Sequence, residues 1–227
     1  MTHGEPRERF ARAVHRPDAE IRLDLAWALI TACAHPTVDP DGLLAELDDL
    51  AAACRVPTLD GLRHHLFVDQ GFVGNQADYY DPANSYLDDV LDRHHGIPIT
   101  LAVVTMEVGR RIGVPVVGIG LPGHFLLRDQ VDHEVFVDPF HGGELLDRDG
   151  CRAVLRRLHG PDTDLDPAWL EPVGRVAILE RLLANLVRIF QHRGDAADLL
   201  WARDLQADLA RAKGDPTARL RSRASLN

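Results

Sequence analysis

The chain has 227 residues, 45% hydrophobic and 26% charged, enough for one sizeable core or one domain with a small appendage. Its formal net charge of -10 repels phosphate backbones and anionic lipid, so neither nucleic acid nor a membrane is an expected partner. Cys33, Cys54 and Cys151 are widely spaced and form no CxxC pair, which suits neither a disulfide framework nor a structural zinc site.

No apolar segment of signal-peptide type follows Met1, and no apolar run approaches the roughly 18 residues that span a bilayer, so the expected address is cytoplasmic.

Residues 1–95 read as a helical N-terminal region. Asp18 to His35 carries an apolar stripe at helical spacing. Asp39-Pro40-Asp41 opens a second helix through Leu43, Leu47 and Leu50. Thr58 is placed to cap a third, with Leu62, Leu66 and Phe67 on one face. From Gly71 to Asn84 the sequence GFVGNQADYYDPAN breaks the pattern and predicts an ordered loop. Ser85 is the expected N-cap of a short helix from Tyr86 to His94.

Pro98 to Ile112 is apolar nearly all round and predicts a buried helix, closed by Gly113 with Pro115 beyond. Three β-like runs follow, Val116–Leu121, His124–Arg128 and Glu134–Asp138, forming a small antiparallel sheet. Asp147 to Leu158 reads as a helix and Pro161 to Pro172 as a linker. Residues 172–213 form a helix pair with a leucine stripe, resembling one TPR-type unit, and 214–227 a flexible tail. The fold class is therefore α+β, with 96–160 as the core that packs with 1–95.

The order buried helix, Arg110-Arg111-Ile112-Gly113-Val114-Pro115, strand, PGHFLLR around His124 and VFVDPF around Asp138 resembles the transglutaminase-like superfamily, which has a papain-like fold. GFVGNQADYYDPANSYLDDVLDRHHGIPITL, GRRIGVPVVGIGLPGHFLLR and VFVDPFHGG are similar to the hallmark segments of the bacterial SirB-type subfamily. The resemblance implies a cysteine nucleophile at the start of the buried helix, with a histidine and an acid on adjacent strands. His124 and Asp138 occupy the latter two positions. The cysteine slot falls at about Pro98, and none of Ile97, Pro98, Ile99, Thr100 or Leu101 is a cysteine. Cysteine-dependent transglutaminase or protease activity is thus not expected.

Three readings stay open. The fold is a binding or regulatory module engaging a protein or peptide through the former substrate groove. Alternatively, His124 and Asp138 serve a hydrolase or acyl-transfer enzyme acting on a small-molecule or amide substrate, with Thr100 or an activated water as nucleophile. A metal site is the third; His64-His65 and His94-His95 are pairs of interest, but no HExxH-type spacing occurs, so no metal or other cofactor is expected. Asn75, Tyr80, Asn84 and Tyr86 in the loop motif, together with Pro98 and Gly123, are candidate groove residues. Oligomeric state is left open.

Overall fold

The structure is a computed structural model describing residues 4–214. The arginine-containing tail expected beyond 214 lies outside the described residues.

In chain order the elements are α1 (Gly4–Val14), α2 (Leu23–Ala34), α3 (Pro40–Ala52), α4 (Leu59–Arg63), β1 (Val73–Gly74), α5 (Leu87–Arg93), β2 (His95–Gly96), α6 (Pro98–Ile112), β3 (Val116–Ile119), β4 (Leu126–Asp129), β5 (Phe136–Asp138), β6 (Glu144–Leu146), α7 (Arg148–His159), α8 (Arg175–Arg193) and α9 (Ala196–Gly214). The class is α+β. Among the described residues no helix is long and apolar enough to cross a membrane. The chain divides into two compact units, one from residues 4–45, 80–89 and 174–214, the other from Glu46–Tyr79 and Val90–Val173.

The first unit is helical. Helix α1, at the start of the region expected to be helical, buries Phe10 and Val14 and contacts α2 and α9. Its Arg7 reaches Asp204 and Asp208 of α9 at 2.5 and 2.8 Å. Helices α8 and α9 pack on each other, with Phe190 edge-on to Trp201. The helix expected from Asp18 begins only at Leu23. Asp18 instead sits in a 3₁₀ turn, where its carboxylate accepts the N–H groups of Arg175 and Val176 and so caps α8. Ser85 does not cap α5 as expected. It ends a 3₁₀ turn, and the Leu87 N–H is taken by the Thr31 hydroxyl at 2.8 Å.

The second unit holds an antiparallel meander in the order β3-β4-β5-β6, one strand more than the sequence predicts. Val117 faces Arg128, Leu127 faces Val137 and Val137 faces Leu145. Leu126 and Leu127 are both fully buried and point to opposite faces, so β4 is covered on both sides. Helix α6 packs on β3 and β4. A second cluster joins Ile119, Leu121, Leu126, Phe136, Cys151 and Leu170. The predicted linker is thus a packed strap: Pro172 bridges Ile119, the Val173 N–H bonds the Gly118 carbonyl, and Arg128 Nη1 donates to the Leu170 carbonyl. The two-residue strands β1 and β2 pair in parallel inside and beside the expected loop. Thr58 caps α4 through the Gly61 N–H at 3.1 Å, and the helix continues as one π-helical turn, His64–Asp69.

Candidate functional site

Asp138 is the last residue of β5 and the N-cap of the 3₁₀ turn Pro139–His141. A carboxylate at this position faces the backbone N–H groups of the turn it opens, and Asp138 Oδ1 accepts from Phe140 and His141 at 3.0 and 3.3 Å. Its other oxygen, Oδ2, lies 2.9 Å from His124 Nε2 and 2.8 Å from His141 Nδ1. Four donors therefore converge on one fully buried carboxylate. Burial pushes its pKa up, but the hydrogen bonds and charges of His124 and then His141 outweigh it, and the net shift is downward.

His124 is 4% exposed and precedes β4, in the turn closed by its own N–H on the Leu121 carbonyl, rather than within the strand as expected. Gly123 before it has φ +70, and a Cβ there would come within 3.1 Å of His159 Nε2. Because an ionised carboxylate only accepts, the neutral His124 ring carries its proton on Nε2 and its lone pair on Nδ1. The neutral His141 ring, by the same logic, is protonated on Nδ1, and its Nε2 accepts the long 3.5 Å contact from Arg157 Nη2.

Phe140 stands edge-on to both imidazoles, at 6.0 Å from His124 and 5.3 Å from His141, and Tyr79 stands edge-on to Phe140. A Cβ on Gly74 would strike the Phe140 ring, so the absence of a side chain at Gly74 is what seats that ring. Phe140 thus fills the space beside His124. His141, with 28% of its side chain exposed, is the solvent-facing member of the group.

The start of α6 holds Pro98 at N1, buried, and Thr100 at N3, fully buried. Thr100 Oγ1 accepts the Ile97 N–H at 2.9 Å and donates to the Ile97 carbonyl at 3.0 Å. It is a cap hydroxyl, and these bonds aim it at the backbone. Cys33 and Cys151 are fully buried, and burial lifts both thiols to about 12, far from the thiolate a nucleophile needs.

The loop residues divide between the units. Asn75, in the sheet-bearing unit, orders its own loop: its N–H bonds the Gly96 carbonyl and its Oδ1 accepts from the Asp78 N–H. Tyr80, Asn84 and Tyr86 belong to the helical unit. There Tyr80 is exposed beneath the Arg188 guanidinium, Asn84 is fully buried, and Tyr86 is buried edge-on to His35. Neither histidine pair joins a three-ligand cluster among the described residues. His64 meets Asp69, His65 bonds the Leu50 carbonyl, His94 stacks on Phe72, and His95 bonds the Arg93 carbonyl.

His141 is the member that sequence reasoning missed. The spacing in Asp138-Pro139-Phe140-His141 was the available signal, since a proline-opened turn after an acid brings the third residue back onto the carboxylate.

Residues 37–184 match the family model of the Transglutaminase-like superfamily. A UPF0162 protein of Xylella fastidiosa strain 9a5c is 43% identical over 133 residues, 57% of this chain and 47% of that one. A UPF0162 protein of Pseudomonas aeruginosa is 39% identical over 152 residues, 66% of this chain and 54% of that one. F-box only protein 21 of Mus musculus is 30% identical over 146 residues, 60% of this chain and 22% of that one. The chain spans about half the length of the bacterial relatives it matches. No solved structure matches it.

Proposed function

Because the chain belongs to the Transglutaminase-like superfamily, we propose that it is a cysteine-less version of that fold acting as a binding or regulatory module for a protein or peptide. Thr100 carries this reading: where the superfamily places its nucleophile at a helix start, this helix opens with a proline and a hydroxyl bonded to the Ile97 backbone on both its donor and acceptor sides. The raised thiols of Cys33 and Cys151 speak against a cysteine arriving from elsewhere. The sheet-bearing unit offers a groove of about 890 Å³ beside Gly142, the neighbour of His141, edged by Arg55, Val56, Arg63, His64 and Val68. Val56 and Val68 are 54% and 64% exposed, the apolar element a peptide would cover. The kinship with SirB-type proteins and the likeness of α8 and α9 to a TPR-type pair belong to the same proposal.

One observation favours a second reading, a hydrolase or acyl-transfer enzyme that works through water. His124 bonds Asp138 through Nε2, which leaves Nδ1 as the basic atom, the arrangement of a general base and its orienter.

The test is turnover of a panel of amides, esters and peptide glutamine substrates by the wild type and His124→Ala. The module reading expects no turnover that depends on His124. A substrate whose hydrolysis falls at least about 100-fold in the variant overturns it in favour of the second.

A further inference from the structure

We propose that His124, Asp138 and His141 form a site for a divalent transition-metal ion of the zinc class. The inference does not depend on the groove reading, since it needs only the geometry at the end of β5.

Three side chains from two separate turns bring one donor atom each within 4.8 Å of the others. Two imidazole nitrogens address one carboxylate oxygen, at 2.9 and 2.8 Å. An ion held at about 2.0–2.2 Å from each donor in a tetrahedral shell keeps the donors about 3.4 Å apart, so the group has to open by about half an ångström. Asp138 Oδ1 is already fixed by two backbone N–H groups, which presents Oδ2 as a single-oxygen ligand and supplies the outer hydrogen bonds that metal carboxylates usually have. Two nitrogens and one oxygen suit zinc and its first-row neighbours, and are too few and too nitrogen-rich for magnesium or calcium. The partly exposed His141 gives the ion an approach and leaves room for water as a fourth ligand.

To offer these atoms to an ion, each ring in its neutral form changes tautomer: His124 moves its proton from Nε2 to Nδ1, and His141 moves its proton from Nδ1 to Nε2. The second change has a consequence. His141 Nε2–H then faces Arg157 Nη2, donor against donor, where a 3.5 Å hydrogen bond stood before. Arg157 is exposed and can swing away, but its charge and its lost bond oppose the ion. Arg157 therefore weakens metal binding in the wild type.

The experiment titrates the chelator-treated full chain with Zn²⁺ by calorimetry and with Co²⁺ by visible absorption. The expected result is one ion per chain, with the cobalt bands of a four- or five-coordinate N/O site. His141→Ala, at a partly exposed position that should not unfold the protein, weakens binding at least about 10–100-fold. Arg157→Gln tightens it by about 3- to 10-fold, as removing one nearby charge should. A joint His94→Ala and His95→Ala variant binds as the wild type does. The site is excluded if the wild type takes up no ion at micromolar concentrations, or if uptake survives His141→Ala undiminished. Metal uptake is read without a partner or substrate, so its failure leaves the module reading standing, and the reverse holds as well.

Discussion

The Thr100 hydroxyl is bonded to both backbone groups of Ile97, taking its N–H and giving to its carbonyl. A buried cap of this kind contributes about 1–2 kcal/mol. Thr100→Val should lower the unfolding free energy by that amount in urea denaturation, and Thr100→Ser should keep most of the stability. If Thr100 were a nucleophile, the valine variant would also abolish a reaction, which the cap role does not require.

Thiol chemistry gives a second expectation. Cys33 and Cys151, lifted to about 12 by burial, carry almost no thiolate at pH 8, whereas Cys54 is partly exposed. A thiol-reactive chromophore should label one site quickly in the native protein and three in denaturant. Both buried thiols stay protonated longer in the folded chain than in the unfolded one. Their contribution is therefore whole below about pH 8.5 and declines as pH rises towards 12. A second fast thiol in native protein would reopen cysteine chemistry.

Asp138 acts at the other end of the pH scale. Its folded pKa is depressed, so its contribution to stability is present above the unfolded value of about 3.9 and is lost as pH falls below it. In chelator-treated protein Asp138→Asn should cost about 1–3 kcal/mol at pH 6–7, because the amide can accept from fewer of the four donors. The gap between wild type and variant should shrink between pH 5 and pH 3, measured by urea unfolding. A gap that stays constant over that range contradicts the assignment.

Gly74→Ala probes the aromatic wall. A Cβ there would sit 2.4 Å from the Phe140 ring, so the ring must move or the turn must distort. A loss of about 1–3 kcal/mol is expected, with altered imidazole NMR shifts at His124 and His141, since Phe140 stands edge-on to both. Unchanged imidazole signals would show that the ring does not set their environment.

Much of this was legible. Helix α6 announced itself by its apolar run between Pro98 and Gly113, and Thr58 by its position ahead of Leu62. The meeting of His124 and Asp138 followed from the resemblance and from a separation of 14 residues, which fits two neighbouring strands joined by a turn, although His124 lies just ahead of its strand. What escaped was of two kinds. Short or irregular pieces leave no periodic trace: the two-residue pair β1 and β2, strand β6, and the π-helical turn at His64. Distant pairings have no local signal either. Asp18 looks like the first residue of its own helix but caps one 157 residues away, and the strap before Val173 has the composition of a linker yet bonds along β3. His141 lay between, close enough in sequence to be found but visible only once Pro139 is seen to open a turn.

The helical unit is stitched from three stretches of chain, and synthesis imposes an order on it. Helices α1 and α2 are made before the sheet-bearing unit, with Phe10, Val14, Trp27 and Leu29 destined for burial, and α8 and α9 follow roughly 140 residues later. At ordinary elongation rates that is a wait of about 7–28 s, during which the intervening chain, most of it the sheet-bearing unit, is being made. The burial of Phe10 and Val14 therefore waits on α9, so the helical unit closes only after the chain of the sheet-bearing unit has been made.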